Sequence, residues 1–316
     1  MYAVGLERYG GPEVLQVVTL PDPLPTAGEI RIKVHAAGVN PVDVMVREGA
    51  MAQDYAAIEP PYVPGMEVSG IVDMIGDGVA PALGFSLGLE VVGVVKNFGR
   101  YGGYSEYVCL PALSVIPKPA GISFAEAASF PMNALTARNV LDVLDLPRGD
   151  TVLVTGAAGA VGTYTVVLAK ERGLRVIAVA ATQDLAFLKT AGASTVVERG
   201  DLLAERVRAI FPQGVDAVVD AAGLGDAIAP AVRDNGTVMV LRSAKADHFE
   251  RAVRVIFTTV RDRATDREAL EELGRKVERG QLPVRVAATF PMTEAPAAHH
   301  RLGLPGLRGR LVLMFK

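Results

Sequence analysis

Apolar residues in the first third of the chain come in short alternating runs, Ile30 to Val34, Val68 to Ile75 and Glu106 to Leu110 among them, broken by turns rich in proline and glycine. Such runs read as strands, so residues 1–120 predict a β-rich, irregular domain. After Pro117-Lys118-Pro119, Ser123 and Glu126 have the spacing of a capping box and predict a helix carrying Ala125 to Phe130 at the junction between two domains. From Thr151 the pattern changes. Apolar strands at Thr151 to Thr155, Arg175 to Val179, Val215 to Asp220 and Thr237 to Leu241 alternate with stretches of helical spacing, and Ala252 to Phe257 supplies a further strand. Strands separated by helices predict an α/β fold with a doubly wound parallel sheet over residues 121–257. Asp266 to Arg279 reads as a charged amphipathic helix, and Leu282 to Phe290 and Leu311 to Phe315 read as β structure again. The tail, 258–316, is expected to rejoin the first domain and make it discontinuous.

Length and composition agree with two lobes, since 316 residues exceed the roughly 100 to 200 of one domain. Half the residues are apolar and the net charge is −3 with both signs interspersed, so nothing resembles the basic stripe that nucleic acid needs. The one cysteine, Cys109, excludes an intramolecular disulfide framework and a Cys-rich zinc site, and suits a reducing cytosol. The opening residues carry no leader pattern, and the longest apolar window, Val152 to Ala169, is interrupted by Gly156, Gly159 and Gly162. A soluble, cytoplasmic protein with no membrane span is expected.

That window carries the most informative motif. A strand, Thr151 to Thr155, feeds Gly156-Ala157-Ala158-Gly159-Ala160-Val161-Gly162 and then a helix. A glycine turn at a helix start lets backbone N–H groups face a pyrophosphate: Gly159 would sit at the phosphate and Gly162 would let the helix pack on the sheet. Ala157 departs from the G-x-G-x-x-G pattern, but a second strand ends about 20 residues on, as a dinucleotide fold requires. At that end an NAD site would carry an acid for the ribose 2′-hydroxyl. Here stand Ala180-Ala181-Thr182, which leave room for a 2′-phosphate that Thr182 could hydrogen-bond, so NADPH is favoured and NADH stays open. No Lys or Arg adjoins, and Asp184 is mildly unfavourable for a phosphate.

Gly10-Gly11-Pro12-Glu13-Val14-Leu15, Ala37-Gly38-Val39-Asn40-Pro41-Val42-Asp43, Val63-Pro64-Gly65-Met66-Glu67, Gly102-Gly103-Tyr104-Ser105-Glu106-Tyr107-Val108, Ala134-Leu135-Thr136-Ala137 and the glycine turn follow one another in order along the chain. With these segments the whole chain resembles the zinc-free medium-chain dehydrogenase/reductases, closest to their quinone oxidoreductases and enoyl reductases. The resemblance implies a GroES-like catalytic domain over 1–120 and 258–316, a Rossmann domain over 121–257 with the cofactor between them, and often a homodimer. In zinc-dependent relatives Cys, His and Cys hold the metal where this chain has Asn40, Met66 and Met132; an amide and two thioethers are poor zinc ligands. No metal is expected.

Without metal, hydride transfer suits an acceptor that spreads charge itself, a quinone or a conjugated enone. By the resemblance Asn40 faces the nicotinamide and the substrate carbonyl, although an Asn before Pro41 equally suits a turn. Thr136 would lie under the nicotinamide ribose, Ala221 and Ala222 would make close contacts after the fourth strand, and Leu241, Val255 and Phe257 would offer backbone partners to the carboxamide. Arg310 would reach the phosphates. Core packing explains the apolar members as well, and a surface position would explain the arginine. Relatives place a tyrosine two residues after an Arg-x-Gly segment; Arg47-Glu48-Gly49 is followed by Ala50 and Met51, and Tyr55 is the candidate replacement. Arg242 stands where relatives have glycine, as a candidate cation for the carbonyl oxygen, a cofactor contact or a surface residue. The readings are a quinone or enone reductase, a dedicated enoyl reductase of a biosynthetic pathway, and an NADPH-binding protein with little turnover. The Ala252 to Phe257 strand, as a free sheet edge, would pair with its mate in a homodimer.

Overall fold

The computed structural model describes residues 1–96, 101–241 and 248–316. It divides into two compact units, Met1–Met132 with Arg261–Lys316, and Asn133–Val260. In chain order the first unit begins with strands β1 (Tyr2–Gly5), β2 (Gln16–Thr19) and β3 (Glu29–Val39), followed by helix α1 (Pro41–Arg47). Strands β4 (Glu67–Ile75), β5 (Glu90–Val94), β6 (Tyr107–Pro111) and β7 (Val115–Pro117) lead to helix α2 (Phe124–Ala127), and helix α3 (Pro131–Leu144) follows, belonging to the second unit from Asn133 on.

The second unit holds β8 (Thr151–Thr155), α4 (Ala160–Glu171), β9 (Arg175–Ala180), α5 (Leu185–Ala191), β10 (Thr195–Glu198) and α6 (Leu203–Ile210). It continues through β11 (Val215–Asp220), β12 (Val232–Val240), β13 (His248–Phe249) and β14 (Val253–Phe257). The tail adds α7 (Arg267–Glu278), β15 (Val286–Pro291), α8 (Ala295–Gly303) and β16 (Arg310–Met314) to the first unit.

In the first unit the sheet order is β15-β16-β3-β4-β5-β7, with β6 also on β3. The long β3 shares one edge between two partners: Glu29 to Lys33 pair with β6, and Ala36 to Val39 with β16. The end of β3 therefore meets the first residues of both β4 and β16. The tail joins this unit through β16, whose Leu311, Val312 and Leu313 are fully buried and paired to β3.

The second unit is a sheet of order β10-β9-β8-β11-β12-β14-β13, parallel except for β13. Taking the parallel strands in chain order, this is 3-2-1-4-5-6, the doubly wound arrangement whose order reverses between β8 and β11. All five residues of β8 are buried, the continuous run expected of a central strand covered on both faces. Leu153, Ile177, Val218 and Val238 share one core cluster, each fully buried.

Three elements differ from the expected pattern. The helix opened by Ser123, whose hydroxyl accepts from Glu126 N, ends at Ala127 and not at Phe130. Pro131 pushes the residue before it out of helical geometry and starts α3 instead. Strand β10 was not anticipated, since its four residues are too short to show alternation. The Ala252 to Phe257 strand is not the edge of its sheet: β13 pairs antiparallel with Val253 and Arg254. The units part after Met132 and after Val260, where the sequence pattern put junctions at 120 and 257; α2 accounts for the first shift, since the Phe124 carbonyl accepts from Ser69 Oγ on β4 at 2.6 Å.

Candidate active site

In parallel sheets of this winding, ligands bind beyond the carboxyl ends of the strands at the point of reversal. The turn 156–162 leaves β8 there and opens α4, with Gly159 as the N-cap residue. Gly156 holds a φ of +58°, and a Cβ on Gly162 would lie 2.2 Å from the Gly156 carbonyl oxygen. These glycines are dictated by the turn. A Cβ on Gly159 would meet one atom, Gly156 O at 3.1 Å. The amides of the first helical turn that follow have no partner within the helix, which is the arrangement that receives a phosphate.

The same end of the sheet carries Ala180 closing β9 with Ala181 and Thr182 after it, Ala221 and Ala222 after β11, Leu241 after β12 and Phe257 closing β14 with Val255 two residues before it. The fold thus assembles the expected cofactor residues of this unit along one edge. Thr136 lies on α3 in the same unit and is half-buried. Arg242 lies outside the described residues.

Two residues that the sequence reading passed over shape this edge. Asp220, 2 % exposed, accepts from Thr155 Oγ1 at 2.6 Å, Gly223 N at 3.1 Å and Gly225 N at 2.9 Å, and so fixes the loop that carries Ala221 and Ala222. Thr155 Oγ1 in turn accepts from Ala222 N at 3.0 Å. Glu198, at the end of β10, accepts from Thr182 Oγ1 at 2.7 Å. Asp184, by contrast, is buried at the start of α5.

In the first unit, the ends of β3, β4 and β16 bring Asn40, Glu67 and Arg310 together. Glu67 is fully buried and accepts from Asn40 Nδ2 at 3.0 Å and Met132 N at 2.9 Å, with Arg310 Nε 3.9 Å away. Burial raises its carboxyl pKa, against the pull of Arg310, Asn40 and the Met132 amide. Arg310 is 4 % exposed and donates to the Val39 carbonyl at 3.1 Å. It is no surface arginine, and its charge faces Glu67. Asn40 also donates, more weakly, to the Gly38 carbonyl at 3.4 Å, and its side-chain oxygen accepts from the Asp43 amide in a capping box whose other half is the Asp43 carboxylate on Asn40 N.

Behind Asn40 runs a buried polar chain. Asp43, fully buried, accepts from Asn40 N at 2.7 Å, Gly65 N at 2.9 Å and Tyr104 OH at 3.2 Å. Gly65 has a φ of +106°, and a Cβ there would fall 2.7 Å from the amides of Gly103 and Tyr104. Burial pushes the Asp43 carboxyl up to about 7, although those three donors pull it down. Tyr104 OH lies 3.1 Å from His299 Nε2, and His299 Nδ1 lies 3.4 Å from Arg47 NH1. A guanidinium can only donate, so Nδ1 accepts and Nε2 carries the ring proton toward Tyr104. Burial, then the Arg47 charge, lower His299 to about 3 and keep it neutral. None of this was visible in the sequence as a histidine motif, because His299 reaches the network from α8, 252 residues after Arg47.

Tyr55 is 1 % exposed, edge-on to Tyr62 with centroids 5.6 Å apart, and burial raises its pKa. The structure places it in the packing of the first unit. A surface hollow lined by Arg208, Asp226, Arg233, Asp234, Glu250 and Arg251 lies toward the other ends of β11 and β12, away from the glycine turn. Its arginines donate to backbone carbonyls, among them Val232 O for both Arg208 and Arg251.

Comparison with known proteins bears on this arrangement. Residues 26–120 match the alcohol dehydrogenase GroES-like domain and residues 191–313 match the zinc-binding dehydrogenase family. The quinone oxidoreductase from Coxiella burnetii superposes with a TM-score of 0.87 at 30 % identity, over 100 % of this chain and 99 % of that one. The chain is a medium-chain dehydrogenase/reductase. A mycobacterial member solved in complex with NADPH is 31 % identical over the full length of both chains, with a TM-score of 0.86. The synaptic vesicle membrane protein VAT-1 homolog-like of Mus musculus is 36 % identical over 70 % of this chain and 51 % of its own length, so the match spans about half of that relative.

Some dehydrogenases of this superfamily hold catalytic zinc, and the residues at that position here do not fit it. Asn40 commits its amide nitrogen to Glu67, and Met66 and Met132 are buried thioethers. Among the described residues no group of three or more His, Cys, Asp or Glu is placed to hold an ion. No helix among them is long and apolar enough to cross a membrane.

Proposed function

We propose that this oxidoreductase uses a nicotinamide dinucleotide to reduce a quinone or an α,β-unsaturated carbonyl without a metal. The observation that carries the reading is the donor set at the zinc position, Asn40, Met66 and Met132, in a chain whose glycine turn keeps the form of a dinucleotide site. The relatives support it, one being a quinone oxidoreductase and another having been solved with NADPH.

Bound nicotinamide supplies the hydride. The start of α4 is suited to hold the pyrophosphate and Asp220 to keep the Ala221-Ala222 backbone in place, while Glu67 and the Asp43 amide fix the orientation of the Asn40 side chain. With its N–H groups turned to Glu67 and Gly38, Asn40 is not the group that polarises a substrate carbonyl. An acceptor that spreads charge over its own conjugated system needs that help least.

Steady-state oxidation of NADH and NADPH with simple quinones and with a panel of conjugated enones tests this. Rapid turnover with quinones supports a broad reductase, and silence with quinones but activity on one enone supports a dedicated enoyl reductase. Tight cofactor binding without turnover on any acceptor contradicts the reductase reading.

A further inference from the structure

We infer that Glu198 sets the choice between NADH and NADPH, and sets it toward NADH. This rests on the dinucleotide reading above. A site for NAD carries a carboxylate at the end of the second strand, where it accepts from the ribose 2′-hydroxyl. The end of β9, Ala180-Ala181-Thr182, has none in sequence, and Asp184 is buried.

The sheet supplies one from the next strand. β10 runs parallel to β9 with Glu198 in register with Ala180, and Arg199 N donates to the Ala180 carbonyl at 2.9 Å, so the two strands end level. There the exposed Glu198 side chain accepts from Thr182 Oγ1 at 2.7 Å. A hydroxyl has one proton to give. Thr182, which the sequence offered to a 2′-phosphate, gives it to a carboxylate instead. A 2′-phosphate would bring roughly two further negative charges to that spot, whereas a free 2′-hydroxyl finds an acceptor. The neighbouring cations are Arg199, one residue on, and Arg206, whose NH1 donates to the Glu198 carbonyl at 2.9 Å. Either would favour the phosphate, so the carboxylate and the arginines make opposite demands that one experiment can separate.

Dissociation constants for NADH and NADPH should be measured by fluorescence titration on wild type, Glu198→Gln and Arg199→Gln, each at low and high salt. Glutamine keeps an acceptor for Thr182 while removing the charge, so a purely structural tie between β9 and β10 survives it. The wild type is expected to bind NADH more tightly. Glu198→Gln should move the NADPH-to-NADH affinity ratio by about two- to fivefold toward NADPH, the size of an exposed charge interaction. That gain should shrink at high salt. A ratio unchanged by Glu198→Gln overturns the inference, as does a wild-type preference for NADPH that only Arg199→Gln removes. Failure of the wild type to bind either dinucleotide would instead remove the cofactor reading itself.

Discussion

At Gly159 the one atom a Cβ would meet is the Gly156 carbonyl oxygen at 3.1 Å, so a side chain there requires that carbonyl to give by a few tenths of an ångström. What a larger one obstructs is the space in front of the α4 amides. Gly159→Val is therefore expected to abolish dinucleotide binding in a fluorescence titration while the circular dichroism spectrum stays that of the wild type; retained binding would place the pyrophosphate elsewhere. His299 makes a prediction of another kind. Folded, it stays neutral down to about pH 3, while the unfolded ring titrates near 6.5, so the unfolded chain takes up the extra proton in between. Its contribution is complete above pH 6.5 and is lost as the pH falls toward 3. Asp43 has the opposite sign: its carboxyl, at about 7 in the fold against 3.8, makes the fold less favourable as pH rises through that window. Comparing wild type with His299→Gln isolates the histidine. Between pH 6.5 and pH 5 the wild type should lose about 2 kcal/mol relative to the variant, at 1.36 kcal/mol per unit. Urea midpoints that move in parallel would show that His299 titrates freely. Neither Asp43 nor His299 was legible as part of a network, because Tyr104 and His299 reach Asp43 only through tertiary packing.

Among the elements, β8, its turn and α4 were fully legible, since a buried central strand, three glycines and a helix occupy one continuous stretch. The end of β9 was only half legible. Its own residues are uncharged, and the Glu198 carboxylate arrives from β10, a strand too short to announce itself. Asp220 was read as the last residue of a strand, while its part in holding the following loop depends on Gly223 and Gly225 turning back onto it. Asp220→Ala orphans those two amides. The fully buried Thr155 hydroxyl loses its acceptor as well, and a buried group left without a partner costs about 1–3 kcal/mol, so a lower urea midpoint and weaker dinucleotide binding are both expected. A variant with unchanged stability and affinity would show that the loop holds its course without the carboxylate. Asn40 was legible by position but not by role: the sequence offered it as a partner for a carbonyl, and the structure commits its amide to Glu67, Gly38 and the Asp43 N–H.

For the molecule as a whole, the discontinuous β-rich unit and the parallel sheet followed from pattern alone, but the sheet edge did not. With β13 covering Val253 and Arg254, what a partner strand has left to cover is Val255 to Phe257, where Phe257 is 55 % exposed. Sedimentation at micromolar concentration tests the expected homodimer: a two-chain mass agrees with it, and a strictly one-chain mass contradicts it. The central claim, hydride transfer to a conjugated acceptor with no metal, rests on Asn40, Met66 and Met132 standing where zinc would be held. It is tested most directly by following deuterium from 4-deuterated NADH or NADPH into an enone, using protein dialysed against a strong chelator and checked by elemental analysis. The account predicts no stoichiometric zinc before dialysis, undiminished turnover after it, and label on the β-carbon of the product. Turnover that disappears with the chelator and returns on adding zinc would contradict it.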